Sequence, residues 1–156
     1  MEIDPKQQEI ASNPDTKPDV LTELSKSEDK YIRAAVARNV NCPIDVISEL
    51  SRDREEIVVE GIAGNISTPV ELLETIFEDC GHYTYQALGG NPSLPVALLE
   101  ELVGTDEDDG EPNFPDEIRQ SVAGNPSTPK EILEILINDD DINVSNWAQS
   151  NLESRY

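Results

Sequence analysis

Apolar positions recur along this chain on a period marked by one asparagine. Asn13, Asn39, Asn65, Asn91, Asn125 and Asn151 are 26, 26, 26, 34 and 26 residues apart. Seven residues after the asparagine stand Val20, Val46, Leu72, Leu98 and Ile132. Eight after it stand Leu21, Ile47, Leu73, Leu99 and Leu133, and eleven after it Leu24, Leu50, Ile76, Leu102 and Leu136. Offsets 7, 8 and 11 share one face of a 3.6-residue helix, so each unit is predicted to hold a longer helix with one buried stripe. A second element precedes the asparagine. Ile10, Val36, Ile62, Leu88, Val122 and Ala148 lie three residues before it, and Ala11, Ala37, Ala63, Gly89, Ala123 and Gln149 two before. Small residues in that last column predict a shorter helix whose backbone approaches its neighbours closely.

Punctuation residues sit where such a unit needs them. Thr68-Pro69-Val70-Glu71 and Thr128-Pro129-Lys130-Glu131 each place Thr, Pro and Glu as a capping box would, with Pro at the first helical position. The other units keep a proline at Pro18, Pro43 and Pro95. Gly64, Gly90 and Gly124 stand before the asparagine and Pro14, Pro92 and Pro126 after it, a combination that ends a helix. The predicted fold is an all-α solenoid of about five 26-residue repeats, each a helix, turn, shorter helix and turn. One repeat domain is expected over 1–156: a polar N-terminal half-repeat at 1–13, five repeats over 14–148 and a polar C-terminal cap at 149–156. The one long interval holds an acidic insertion near 105–113, Asp106-Glu107-Asp108-Asp109-Gly110-Glu111-Pro112 within it.

These columns resemble the variant leucine-rich repeat, with its recurring V-A-x-N-P-x-T-P-x-x-L-L-x-x-L. Val122-Ala123-Gly124-Asn125-Pro126-Ser127-Thr128-Pro129 is the nearest match, and the resemblance runs from about Pro5 to Leu152. It implies alternating α- and 3-10 helices in a right-handed superhelix. Some members of that family carry an iron–sulfur cluster on an N-terminal cysteine-rich segment. Here the first cysteine is Cys42, inside the second repeat, so no cofactor is expected. The family's arginine six residues before the asparagine is kept at Arg33 and Arg119 but replaced by Val59, Tyr85 and Ser145.

Composition agrees with a stack of narrow apolar stripes: 37% of residues are apolar and only 4% aromatic. Charge changes the picture more. The 33 acidic and 11 basic residues give a net charge of −22. Direct binding to nucleic acid or to an anionic membrane is therefore not expected. The N-terminus lacks the basic and apolar regions of a signal peptide, and no stretch approaches the roughly 18 apolar residues of a membrane span, so a cytoplasmic protein is expected. The acidity is concentrated: Glu55 to Ile118 holds 16 acidic residues and no Lys or Arg, −16 of the −22. Asp19, Asp45, Glu71 and Glu131 fall in first helical turns, where free N–H groups favour a carboxylate. Solubility alone, or a saline cytoplasm, would explain other acids; residues 1–54, with 8 basic residues, do not fit the second. The acids of the centre, Glu71 with both readings, predict a surface for a partner: Glu71, Glu74, Glu78, Asp79, Glu100, Glu101, Asp106, Glu107, Asp108, Asp109 and Glu111.

Catalytic chemistry finds no foothold. His82 is the only histidine, and no nucleophile is paired with a base apart from the neighbouring Cys80. Cys80, His82 and Asp79 lack the further ligand a metal site needs, so no metal is expected. The insertion fails the calcium-loop template, since counting back from Gly110 puts Thr105 at position 1. Trp147 is expected to pack near the C-terminal cap. The expected function is non-enzymatic: the acidic centre docks on a basic partner protein of nucleic-acid-binding or nuclease type, as an inhibitor, immunity factor or nucleic-acid mimic. The alternatives are an adaptor binding through an apolar concave groove, or a metal-binding protein.

Overall fold

The computed structural model describes residues 5–79, 81–104 and 113–155. Every regular element in them is helical: α1 (Pro5–Ser12), α2 (Pro18–Leu24), α3 (Lys30–Arg38), α4 (Ile44–Leu50), α5 (Glu56–Ala63), α6 (Val70–Asp79), α7 (His82–Gly90), α8 (Val96–Leu102), α9 (Asp116–Gly124), α10 (Lys130–Leu136) and α11 (Ile142–Arg155). The fold is an all-α helical repeat. None of these helices is long and apolar enough to cross a membrane. The chain forms two compact units, Met1–Thr84 and Tyr85–Tyr156.

In the first unit α1 packs on α3 and α3 on α5, with α2, α4 and α6 on the flank. The column eight after the asparagine is its deepest layer: Leu21, Ile47 and Leu73 are at most 1% exposed. The small-residue column makes the close approach that was expected. Ala11, Ala37 and Ala63 are fully buried, and a Cβ added at Gly61 would lie 2.9 Å from Ala37 Cβ and 3.1 Å from the Ala34 carbonyl oxygen. The stack frays at its first repeat, where Ile10 and Val20 are exposed.

In the second unit α9 packs on α11, with α8 and α10 against them. Leu88, Leu99, Ile118, Val122, Leu133 and Val144 form its buried layer. A Cβ at Gly89 would lie 3.1 Å from Val122 Cγ2, so a larger residue there would have to push the Val122 side chain aside by a few tenths of an ångström.

Several local expectations change. The helix after the proline is the longer one only in the third repeat, where α6 has 10 residues; α2, α4, α8 and α10 have 7, against 8 or 9 in α1, α3, α5, α7 and α9. Two turns are enough to bury offset 8 in every repeat and offset 11 in all but the first, while at offset 7 Val46 and Ile132 are buried, Leu72 and Leu98 half-buried and Val20 exposed. The chain then tightens into i→i+3 bonds such as Lys26 N–H to Glu23 O. Both kinds of element are α-helical, so the 3-10 helices implied by the resemblance are confined to such ends. The asparagine at the end of α3 and α9 is extended, with Asn39 at φ −74°, ψ 125° and Asn125 at φ −69°, ψ 125°. No left-handed glycine cap is involved; Gly64 sits at φ −82°. At the C-terminal cap Asn151 has neither glycine before it nor proline after it, and α11 runs on through it for 14 residues.

The capping box is also corrected. Pro129 flanks α10, and Thr128 lies one residue further out, too far to cap. Its hydroxyl points backwards and donates to Val122 O at 2.6 Å, as Thr68 does to Ile62 O at 2.7 Å and Thr16 to Ile10 O at 2.5 Å. The threonine column therefore satisfies carbonyls at the end of the preceding helix, where intrahelical donors run out.

Candidate partner-binding surface and the joints that hold it

Two sets of polar side chains join successive repeats, and both follow from the columns. The first is the asparagine. Asn65 Nδ2 donates to Ala37 O at 2.7 Å and Asn39 O at 2.9 Å, one repeat back. Asn39 does the same to Ala11 O and Asn13 O, Asn125 to Gly89 O and Asn91 O, and Asn151 to Ala123 O and Asn125 O. The Oδ1 of Asn39, Asn65, Asn91 and Asn125 accepts the backbone N–H two residues on, at Asn41, Ser67, Ser93 and Ser127. A primary amide has two donors and an acceptor, and all three are used. Asparagine can thus be buried at no net loss where a carboxylate could not donate.

The second joint was missed in the sequence. Arg33 clamps Asp53 with Nε and Nη2 at 2.7 and 3.0 Å, and its Nη1 donates to the Ser27 and Glu28 carbonyls. Arg119 clamps Asp139 at 2.7 and 2.8 Å and donates to Phe114 O. The signal was present: in both pairs the aspartate follows the arginine by 20 residues. Each aspartate also accepts the N–H two residues on, at Glu55 and Asp141. Burial pushes the Asp53 and Asp139 carboxyls up, but the arginine and backbone donors outweigh it and hold both below the usual carboxylate value. Hydrogen bonding to the carboxylate holds both arginines above their ordinary value.

Against this framework the predicted acidic residues take two places. Glu71, Glu74, Glu78 and Asp79 lie on the exposed side of α6 in the first unit, opposite buried Leu73, Ile76 and Phe77. Glu100 and Glu101 are exposed on α8 in the second unit, opposite Leu99 and Leu102. Among the described residues none of these six makes an ion pair. Two acids at the start of the same acidic stretch differ: Glu55 pairs with Lys30 and Glu60 with Arg38, both at 2.9 Å. Asp106, Glu107, Asp108, Asp109 and Glu111 lie outside the described residues, as does Cys80 of the weighed metal cluster. Of that cluster, His82 stands at the start of α7 with its ring edge-on to Tyr83. No group of three metal-ligating side chains occurs among the described residues.

Trp147 does not pack away as expected. It is 52% exposed and lines a hollow of about 370 Å³ with Gln86, Gly90, Gln120 and Gly124, because α9 offers only the small Gly124 and Ser121 at that level. Cys42 occupies the threonine column, buried; desolvation foremost, then the charge of Asp45, pushes its thiol up to about 11. No family model matches the chain, and no curated protein does.

Proposed function

We propose that this chain is a non-enzymatic protein-binding module of the variant leucine-rich repeat type. Its acidic centre docks on a basic partner protein, of nucleic-acid-binding or nuclease type, which it inhibits, neutralises or occupies as a nucleic-acid mimic. The observation that carries this reading is the contrast in pairing. Asp53, Glu55 and Glu60 are paired with Arg33, Lys30 and Arg38, whereas among the described residues Glu71, Glu74, Glu78, Asp79, Glu100 and Glu101 have no cation, on a stretch from Glu55 to Ile118 that holds no Lys or Arg. Carboxylates left without internal partners make the local potential more negative, which steers and orients a positively charged protein.

Co-purification from the native cell at low and at high salt, with identification of what is released between them, supplies the partner. Its affinity is then measured for a chain carrying Glu74→Gln, Glu78→Gln, Glu100→Gln and Glu101→Gln. Binding should weaken at least about tenfold, and more steeply at low salt, where screening is weak. A control chain with Asp19, Glu23, Asp45 and Glu49 neutralised should bind as the native one does. Equal affinity of the native and centrally neutralised chains sinks the reading.

A further inference from the structure

The arginine–aspartate joint has a vacant copy in the third repeat. Asp79 follows Val59 by 20 residues, as Asp53 follows Arg33 and Asp139 follows Arg119. The aspartate is kept and the arginine is gone. Where the guanidinium would lie there is a cavity of about 440 Å³, lined by Arg52, Val59, Leu72, Thr75, Ile76 and Asp79, with Asp53 behind. Shifted by one repeat, Arg52, Asp53, Val59 and Asp79 correspond to Lys26, Ser27, Arg33 and Asp53, which line an outer hollow of about 560 Å³; there Arg33 stands against Asp53, and the counterparts of Leu72, Thr75 and Ile76 do not reach the hollow. A cation on the wall is thus common to both, since Lys26 stands beside Arg33 where Arg52 stands here. Asp79 is exposed and makes no hydrogen bond or ion pair among the described residues. Asp53's own carboxylate is already taken by Arg33.

We infer that this cavity is a binding site for an arginine side chain presented by the partner protein. Val59, Leu72 and Ile76 give an apolar wall for the aliphatic stem, and Asp79 gives a planar acceptor for the guanidinium fork. In the filled copy the guanidinium also donates to the carbonyls of Ser27 and Glu28. Their counterparts here are the carbonyls of Asp53 and Arg54. Lysine fits this geometry less well, because an ammonium cannot span a carboxylate and a turn carbonyl with one planar fork. The partner identity rests on the docking reading above; the selectivity of the cavity does not.

The test is a titration of the full chain with N-acetyl-arginine amide, followed by backbone amide NMR, with N-acetyl-lysine amide as comparison. Saturable shifts are expected at Val59, Thr75 and Ile76, with a Kd in the range of about 1–10 mM, as befits so small a probe. The lysine amide should bind several-fold more weakly. Asp79→Asn should weaken arginine amide at least about fivefold. Val59→Arg should fill the cavity from within, abolish the saturable shifts and raise Tm, the rise disappearing when Asp79→Asn is added. Non-saturating shifts spread over Glu74, Glu78 and Glu100 overturn the proposal, as does binding unchanged in Asp79→Asn. Should Val59→Arg not fold, the Asp79→Asn titration decides alone. The glutamine chain of the preceding section retains Val59 and Asp79. Arginine amide bound by it with native affinity, beside unaltered partner affinity, would sink the docking reading and leave the cavity standing.

Discussion

The asparagine seam and the arginine clamps both tie one repeat to the next, yet one is kept at every step resolved and the other at only two. The seam is neutral, fully hydrogen-bonded and needs no compensating group. The clamp places a guanidinium and a carboxylate at about a tenth of their free exposure, with side chains 10% and 10% exposed at Arg33–Asp53 and 9% and 8% at Arg119–Asp139. Such a pair gives back in attraction much of what desolvation takes, so it is replaceable in evolution but not by halves. The contrast explains how the third repeat lost its arginine without losing its helices: the seam at Asn65 still joins it to Asn39. A joint whose net contribution is small is free to become something else.

The largest effect should come from breaking the seam. Asn65→Ala leaves the Ala37 carbonyl and the Ser67 N–H without their partner and takes one of two donors from the Asn39 carbonyl, at a cost of about 2–4 kcal/mol. Urea unfolding measures it, and a loss under about 1 kcal/mol would deny the seam its dominance. Half-removal of a clamp should come next. Asp53→Asn leaves Arg33 enclosed without a countercharge, at a cost of about 3 kcal/mol.

That second difference carries a pH signature. Both clamp carboxyls lie below their ordinary 3.8 in the folded chain, so their stabilisation is present above that pH and fades as pH falls through the lower folded values. The gap between native chain and Asp53→Asn should be full at neutral pH and narrow below about pH 4. A gap constant down to about pH 2 contradicts the clamp. The chain's net charge of −22 acts in the opposite sense, since protonation relieves repulsion, which is why the difference and not the absolute stability is the quantity to follow.

Smaller effects come from positions where a column departs from its own rule. Seven residues before the asparagine stand Ile32, Val58, Ile118 and Val144, all buried, and Thr84, 1% exposed with its hydroxyl unpaired. Thr84→Val should therefore raise stability by about 1 kcal/mol in thermal or urea unfolding. Cys42 departs from the threonine column. Cys42→Thr should place a hydroxyl within reach of the Val36 carbonyl and add about 0.5 kcal/mol. In the native chain Cys42 should resist alkylation at pH 8, read by peptide mass mapping, because its thiol ionises only near 11.

What could be read from the sequence divides on the same line. Buried aliphatic columns announce themselves, because a missing methylene is felt wherever it falls; the helices and their stacking face were legible from Leu21 to Leu133. Side-chain destinations were less so. Thr68 before Pro69 has the same letters whether its hydroxyl turns forward to cap α6 or back to Ile62, and only the position of the proline carbonyl decides. Arg33 and Asp53 were both visible, but their partnership crosses a repeat boundary, where no local periodicity points. The acidic columns were legible as charge; which acids stand without a cation became clear only once Lys30 and Arg38 were seen to reach Glu55 and Glu60.

The seam at Asn125 has one more consequence. Its two acceptors, Gly89 O and Asn91 O, stand 36 and 34 residues back instead of 28 and 26, yet the bonds are 2.8 and 2.9 Å, as elsewhere. The array counts its register in handshakes and is indifferent to how much chain hangs between them. Loops between the joints can therefore lengthen, shorten or be exchanged between copies of the repeat, like charms on a bracelet, while the link itself keeps its length.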